Sequence, residues 1–405
     1  MNRKLAKAMG LMTALAWGGV SAPALAVINV QCPGDTNGDA IIDTPDPAHP
    51  TAKCMHLAAS DGFATMGDGN VLYTFGFQDM TGHDPSTVYV DGALGANISA
   101  PTISVDEGDE FYLTLSNIGM VMRPDLFDPH SVHWHGFPQA AAVFDGEPES
   151  TLGVNMGESF TYYYKVNEPG TFLYHCHVEA TEHMEMGMLG NLYVRPKQNK
   201  LPAGTDLNGF THQDGYKYAY NDGDGSTYYD VEVPLQVSSF DRKFHEEHIA
   251  VQALPFATLK TNYGMINGRG YPDTVNPAAL PAPAENGGKP SQLISSKVEA
   301  TAGQKVLLRL SNVSVTTYFT LTSPNISMKV VGQGAAILRG PTGKDLSYRT
   351  SSVTLGGGEA ADVILDTTGI APGRYFLYTT NLQYLSNDLE DRGGIMTEIL
   401  INAPI

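Results

Sequence analysis

The chain is short of charge, and most of what it has is of one sign. Only 17% of its 405 residues are charged, with 24 Lys and Arg against 43 Asp and Glu and a formal charge of −19 at pH 7. Such a surface repels phosphate backbones and anionic headgroups, which argues against nucleic acid or acidic lipid as a partner. After the first 26 residues no apolar run approaches the ~20 residues needed to span a bilayer. Strong helix formers do not dominate either. The 43 Gly and 25 Pro suit an all-β protein with many turns.

Cysteine is also scarce: Cys32, Cys54 and Cys176 are the whole supply. Residues 1–26 have the form of a secretory signal, with Arg3, Lys4 and Lys7, a short apolar run from Met9 to Val20, and Ala24-Leu25-Ala26 at the cleavage point. The mature chain is then expected to start at Val27, in the periplasm or outside the cell. In that oxidising setting Cys32 and Cys54 can pair, which leaves Cys176 alone, as a metal-binding thiolate would be. Between the paired cysteines lies Asp35-Thr36-Asn37-Gly38-Asp39, followed by Asp43 and Asp46. This spacing fits either a calcium loop, although Ala40 stands where that loop wants Gly, or a disulfide-closed Asx-turn loop.

Two tandem Greek-key β-sandwich domains are expected. Residues 27–85 read as an N-terminal extension, 86–196 as the first domain, 197–228 as a Gly/Asp/Asn-rich linker and 229–405 as the second domain. Short alternating runs such as Phe111-Tyr112-Leu113-Thr114-Leu115 and Phe172-Leu173-Tyr174 give the strands. The second half repeats the first: Leu115-Ser116-Asn117 recurs as Leu310-Ser311-Asn312, and Phe172-Leu173-Tyr174 as Phe376-Leu377-Tyr378. Laid out by sequence, Thr317 faces His130, Thr320-Leu321-Thr322 faces His133-Trp134-His135, and Thr379-Thr380-Asn381 faces His175-Cys176-His177. The second copy keeps the scaffold without the imidazoles.

Those imidazoles are the main signal. Half of the twelve His, with Cys176, fall between His130 and Met188. A packed core has no use for such a cluster, because each buried imidazole needs a polar partner. On a strand, residues i and i+2 point the same way. His133 and His135 therefore project together with Trp134 behind them, and His175 and His177 project together with Cys176 behind them. Cys176, His183, the thioether of Met188 and one upstream His, best His130, make up a blue-copper ligand set. Met120, Met122, Met184 and Met186 lie nearby, as core filling or as soft sites for cuprous ion. Phe244-His245-Glu246-Glu247-His248 reads as a solvated acidic loop.

His133-Trp134-His135-Gly136 and His175-Cys176-His177 with His183, Gly187 and Met188 resemble the multicopper oxidase family, and the resemblance runs from residue 72 onward. It implies two cupredoxin-like domains, with type 1 copper on His130, Cys176, His183 and Met188. It also implies type 2/type 3 copper on His133, His135, His175 and His177, where oxygen is reduced, and a proton-delivering role for Asp145, although Asp145-Gly146 reads equally well as a β-turn. A small reducing substrate or an electron-donor protein would be the partner. Two features depart from the family. Five residues separate His177 from His183 where laccases have three, and the family's cluster takes eight His from two domains where this chain has four. The shortfall points to a homo-oligomer, with a trimer suspected. It also keeps two alternatives open: a relative of copper nitrite reductase, and a non-catalytic type 1 electron carrier or copper-handling protein.

Overall fold

The computed structural model describes residues 28–404, so the leader expected at 1–26 lies outside the described residues. The chain forms two β-sandwiches, as the strand pattern requires. In the first, β1 (Ala52–Thr65), β2 (Val71–Asp79), β4 (Glu110–Gly119) and β6 (Ser159–Lys165) form one sheet in the order β2-β1-β4-β6. The facing sheet runs β3-β8-β7-β5 from β3 (Ala100–Asp106), β5 (His133–His135), β7 (Gly170–His175) and β8 (Leu189–Arg195). Phe111, Leu113 and Leu115 of β4 meet Phe172 and Tyr174 of β7 in the core between them.

The first domain begins earlier than the sequence pattern indicates. Residues 52–79 are not an extension; β1 and β2 are half of one sheet, and Leu57, Phe63, Tyr73, Phe75 and Phe77 lie in its core. β1 shows no alternation because its outer face is covered as well as its core face: on the outer side Ala58 packs under α1 (Val88–Gly92), and Ala64 packs against Phe240 and Tyr263 of the second domain. Cys32 and Cys54 are disulfide-bonded, tying the N-terminal loop to β1 across a separation of 22 residues. Within that loop Asp35 accepts from the backbone N–H of Asn37, Gly38 and Ala40 in an Asx-type turn, and Asp43 accepts from Thr36 across the loop, so both carboxylates are engaged. Replacing Cys32 with Ser is expected to destabilise the protein by about 3 kcal/mol, the loop-closure value for this length. Thermal denaturation of wild type and variant measures it.

In the second domain, strands Lys305–Asn312, Ala360–Asp366 and Val231–Phe240 anchor one sheet, and Gly373–Thr379, Phe319–Thr322 and Met396–Asn402 anchor the other. Residues 197–228 are not a free linker. They form two short strand pairs, and Ala219 and Tyr220 pack on Leu307, Val331 and Ile364. The domains are locked by a buried ion cluster. Arg309, fully buried, binds Glu232 and Asp362 of its own domain and Thr171 of β7, while Arg195 of β8 also binds Glu232.

Residues 244–248 are likewise not a solvated loop. Arg242–Ile249 is helix α3, capped by Asp241, whose side chain accepts from Lys243 N–H. Phe244, His245 and His248 point inward, and Phe244 joins the core of the first domain.

The repeat is real, but its sequence register is not the structural one. Asn117 donates to the carbonyls of Asp128 and Val154, and Asn312 donates to those of Thr317 and Leu355. Thr317 therefore corresponds to Asp128, not to His130. The bridge His130–Val154 has its counterpart in the pair Phe319–Leu355. On the other strand Leu377, not Tyr378, faces the core as Tyr174 does, which sets Thr379 at the place of Cys176. The second domain thus carries Phe319 and Thr379 where the first carries His130 and Cys176.

Candidate metal centre

β5 and β7 pair antiparallel with His133 opposite His175 and Trp134 opposite Tyr174. Trp134 is fully buried and stacks on Tyr164 at 3.9 Å between ring centroids, so the pleat turns His133 and His135 the other way. Leu173, on the face of His175, meets Val313 of the second domain, while Tyr174 and Cys176 lie in the first-domain core.

On the core side the Sγ of Cys176 stands 3.3 Å from His183 Nδ1 and 3.7 Å from His130 Nδ1. All three residues are buried, with their ligand atoms within 4.8 Å of one another. A metal with bonds of about 2.0 Å to nitrogen and 2.3 Å to sulfur holds such atoms about 3.5–3.7 Å apart in tetrahedral or trigonal geometry, so the trio fits a bound ion. Met188 is fully buried in the same core, and its carbonyl accepts from Cys176 N–H. Burial, helped by His183, drives His130 well below the ordinary imidazole value, leaving its lone pair free. Burial also opposes charge on His183, but the Cys176 sulfur and the Asp128 carboxylate outweigh it and raise that group to about 10.

His183 comes from α2 (Ala180–Met186), which follows β7 directly in the chain. Gly187 ends it at φ +117°, and a Cβ there would lie 2.8 Å from the carbonyl of Phe75. Only glycine permits the turn that delivers Met188.

The second set lies on the outer face. His133 donates from Nδ1 to the carbonyl of Asp145 at 2.6 Å, and His175 donates from Nδ1 to the carbonyl of Cys176 at 2.8 Å. Both rings therefore keep an Nε2 lone pair for a metal. His175 Nε2 is 3.2 Å from His135 Nδ1, and the His177 ring centroid is 5.0 Å from that of His133. Burial, the dominant cause, together with His133, His135 and His177, lowers His175 to about 3, partly offset by the Cys176 carbonyl. Burial and the imidazoles of His133 and His177 lower His135 in the same way. Imidazole is a donor suited to copper, and this set offers four on one face. A cavity of about 270 Å³ opens over His135, His175 and His177, closed on the far side by Ser314, Val315, Gly357 and Gly358 of the second domain. A Cβ on Gly358 would lie 2.8 Å from His135 Nε2. The in-chain second domain covers this set without supplying an imidazole from those four residues.

Asp145 is held in a turn closed by Gly146, and its carboxylate lies 3.7 Å from His133 Nδ1. The sequence reading missed Ser131, which joins the two sets. Its N–H faces Cys176 Sγ at 3.5 Å, its Oγ accepts from His177 N–H, and it donates to the Gly146 carbonyl. It also missed Asp128 and Glu179, whose carboxylates gather with His183 within 4.8 Å; His183 Nε2 is buried without a hydrogen-bond partner, 3.9 Å from Asp128. Asp128 stands two residues before His130 and Glu179 two after His177, so proximity to the motifs was the available clue.

Known proteins share this arrangement. Family models described as multicopper oxidase match residues 83–199, the first sandwich after β1 and β2, and residues 238–400, most of the second. The chain belongs to the multicopper oxidase family. Copper resistance protein A of Escherichia coli is 24% identical over 338 residues, 81% of this chain and 49% of that protein. Multicopper oxidase MCE of Talaromyces pinophilus is 32% identical over 131 residues, 32% of this chain and 19% of that protein. The chain thus spans half or less of the length of these multicopper oxidase relatives. Among solved structures, blue copper oxidase from Nitrosomonas europaea superposes with a TM-score of 0.62 at 22% identity, over 87% of this chain and 86% of that one. Copper nitrite reductase from the same organism reaches 0.55 at 17% identity, over 87% and 94%. Both share the fold of this multicopper oxidase.

Proposed function

We propose that this multicopper oxidase is an exported oxidoreductase that accepts electrons at the Cys176 set and passes them to oxygen at the four-imidazole set. The observation that carries the reading is one short stretch: Cys176 faces the buried trio while His175 and His177 face the cavity. Copper, when bound, supplies one-electron redox chemistry at both sets. His130, Cys176, His183 and Met188 would hold the first ion, and His133, His135, His175 and His177 the others. Because His175 and Cys176 are consecutive, an electron has a covalent route from one set to the other. Ser131 fixes both ends of that route by touching Cys176 and His177 together. Reduction of oxygen to water consumes protons as well as electrons, and the Asp145 carboxylate beside His133 serves as a proton relay to the cavity. The Asp128 and Glu179 carboxylates next to His183 favour a small cationic donor, such as Cu(I) or Mn(II), over a neutral phenol.

The test is oxygen uptake by the copper-loaded protein on adding Cu(I), Mn(II) or a phenol. Uptake is expected with the cations. Asp128→Asn should raise their KM about tenfold, the loss of about 1.4 kcal/mol of binding, with a smaller effect on the phenol. No uptake with any donor in a fully metallated sample would refute the oxidase reading.

A second reading has a specific support. Phe319 and Thr379 stand at the positions of His130 and Cys176, and the second domain closes the cavity with Ser, Val and Gly. A one-copper electron carrier would need no more. A homo-oligomer, as a trimer, is the arrangement in which a neighbouring copy completes the imidazole set. Copper content per chain separates carrier from oxidase, and nitrite turnover separates oxidase from a nitrite reductase.

A further inference from the structure

The second domain has no blue-copper ligand set of its own, yet it grips the ligand loop of the first. Helix α3 packs on β2 beside α2, and hydrogen bonds join the two on both sides of His183. His248 Nε2 is 2.9 Å from Glu182 Oε1, one residue before the ligand. The backbone N–H of Asp241, the N-cap of α3, donates to Glu185 Oε1, two residues after it. Arg123 donates from Nη1 to the His248 carbonyl and faces His248 Nδ1 at 3.3 Å. A guanidinium only donates, so Nδ1 accepts and the ring proton sits on Nε2, directed at Glu182. The ring of Phe75 is edge-on to both His248, at 4.9 Å, and His183, at 5.7 Å, and fills the space between them. His245 donates from Nδ1 to the carbonyl of Tyr73, and Phe244 enters the first-domain core, so α3 cannot slide over this surface. His248 is 2% exposed.

We propose that α3 of the second domain is the positioning element for the copper ligand His183, with His248 as its principal residue acting through Glu182. The inference rests on copper binding at the Cys176 set. α2 is only seven residues long and has no side-chain cap at its N-terminus. A helix that short does not hold its own geometry in water. The two bridges to α3 supply the constraint that so short and uncapped a helix lacks, and they make the first-domain copper geometry depend on the docking of the second domain. Metal sites are tuned by groups that orient their ligands, so a loosened His183 changes the electronic signature of the site before it changes occupancy.

The test compares His248→Leu, which cannot donate to Glu182, with His248→Gln, whose amide N–H can. Each full-length protein is loaded with copper, and the thiolate-to-copper absorption band, the electron paramagnetic resonance hyperfine splitting and the midpoint potential are read. His248→Leu is expected to retain its copper while all three readouts shift, and His248→Gln is expected to restore them most of the way. Should His248→Leu fail to fold, Glu182→Ala removes the same bridge from a partly exposed side chain, with the same shift expected. Wild-type spectra and potential in whichever removal variant folds would overturn the positioning role alone. A wild-type protein lacking the thiolate-to-copper band would overturn it together with the copper reading beneath it.

Discussion

Replacing Cys176 with Ser will remove the thiolate-to-copper absorption band and reduce oxygen uptake to background, while the protein stays folded. Ser is close to Cys in volume and the site is fully buried, so packing changes little. What changes is the donor: a hydroxyl does not ionise at neutral pH and does not match the soft, covalent character of thiolate toward copper. The same residue begins the route to His175 and His177, so the loss affects transfer as well as binding. The imidazole set stands on the opposite face of the strand and is expected to keep its metal. Residual copper with no blue band is therefore the expected state, and metal analysis alongside the visible spectrum checks it. A variant that retained uptake would show that electrons reach oxygen without passing Cys176.

Replacing Arg309 with Leu will destabilise the protein by about 3–5 kcal/mol, the usual result of removing one partner from a buried ion cluster. Arg309 is fully enclosed and neutralises Glu232 and Asp362 while touching Thr171 across the domain boundary. Without it two carboxylates remain buried, Glu232 with Arg195 as its remaining cation and Asp362 with the hydroxyls of Thr171 and Tyr220. The effect also has a predicted pH dependence. Burial alone would raise Glu232, but Arg309 and Arg195 outweigh burial and hold its carboxyl below the ordinary value. A depressed folded-state value gives stability that is present above the unfolded value and lost as pH falls through the folded one. Wild type should therefore lose this contribution on acidification below the normal glutamate range. In Arg309→Leu the main charge opposing burial is gone, Glu232 protonates more easily, and the difference between the two proteins narrows as pH falls. Denaturant unfolding at neutral and acid pH measures both effects. Because α3 and the cavity wall depend on domain docking, the same variant should broaden the copper signals.

What the sequence made legible, and what it did not, follows from the range of the interactions. The common face of the paired imidazoles was readable because strand alternation is local: His133 and His135, or His175 and His177, share a face by pleat geometry alone. The disulfide was readable because an exported chain with two nearby cysteines and one in a ligand motif has one simple pairing. The early start of the first domain was not readable, since β1 is covered on both faces and loses its period of two. The copy-to-copy register misled because Phe172-Leu173-Tyr174 and Phe376-Leu377-Tyr378 are the same letters with opposite faces inward. Only the brackets made by Asn117 and Asn312 fix the true correspondence. Helix α3 was misread because Glu246 and Glu247 mark its exposed side, while its buried side meets a surface more than 60 residues away in the chain. Nothing local announced that His248 would touch Glu182, or that Asp128 would stand beside His183.

As proposed above, one strand serves two copper sets, one with all four ligands on this chain and the other built from four imidazoles. Copper content per chain, taken with the electron paramagnetic resonance spectrum of wild type and of His135→Ala, tests it most directly. The account predicts a type 1 signal plus further copper in wild type, with His135→Ala losing only the further copper. A wild-type protein holding a single type 1 copper, unchanged by His135→Ala, would contradict it.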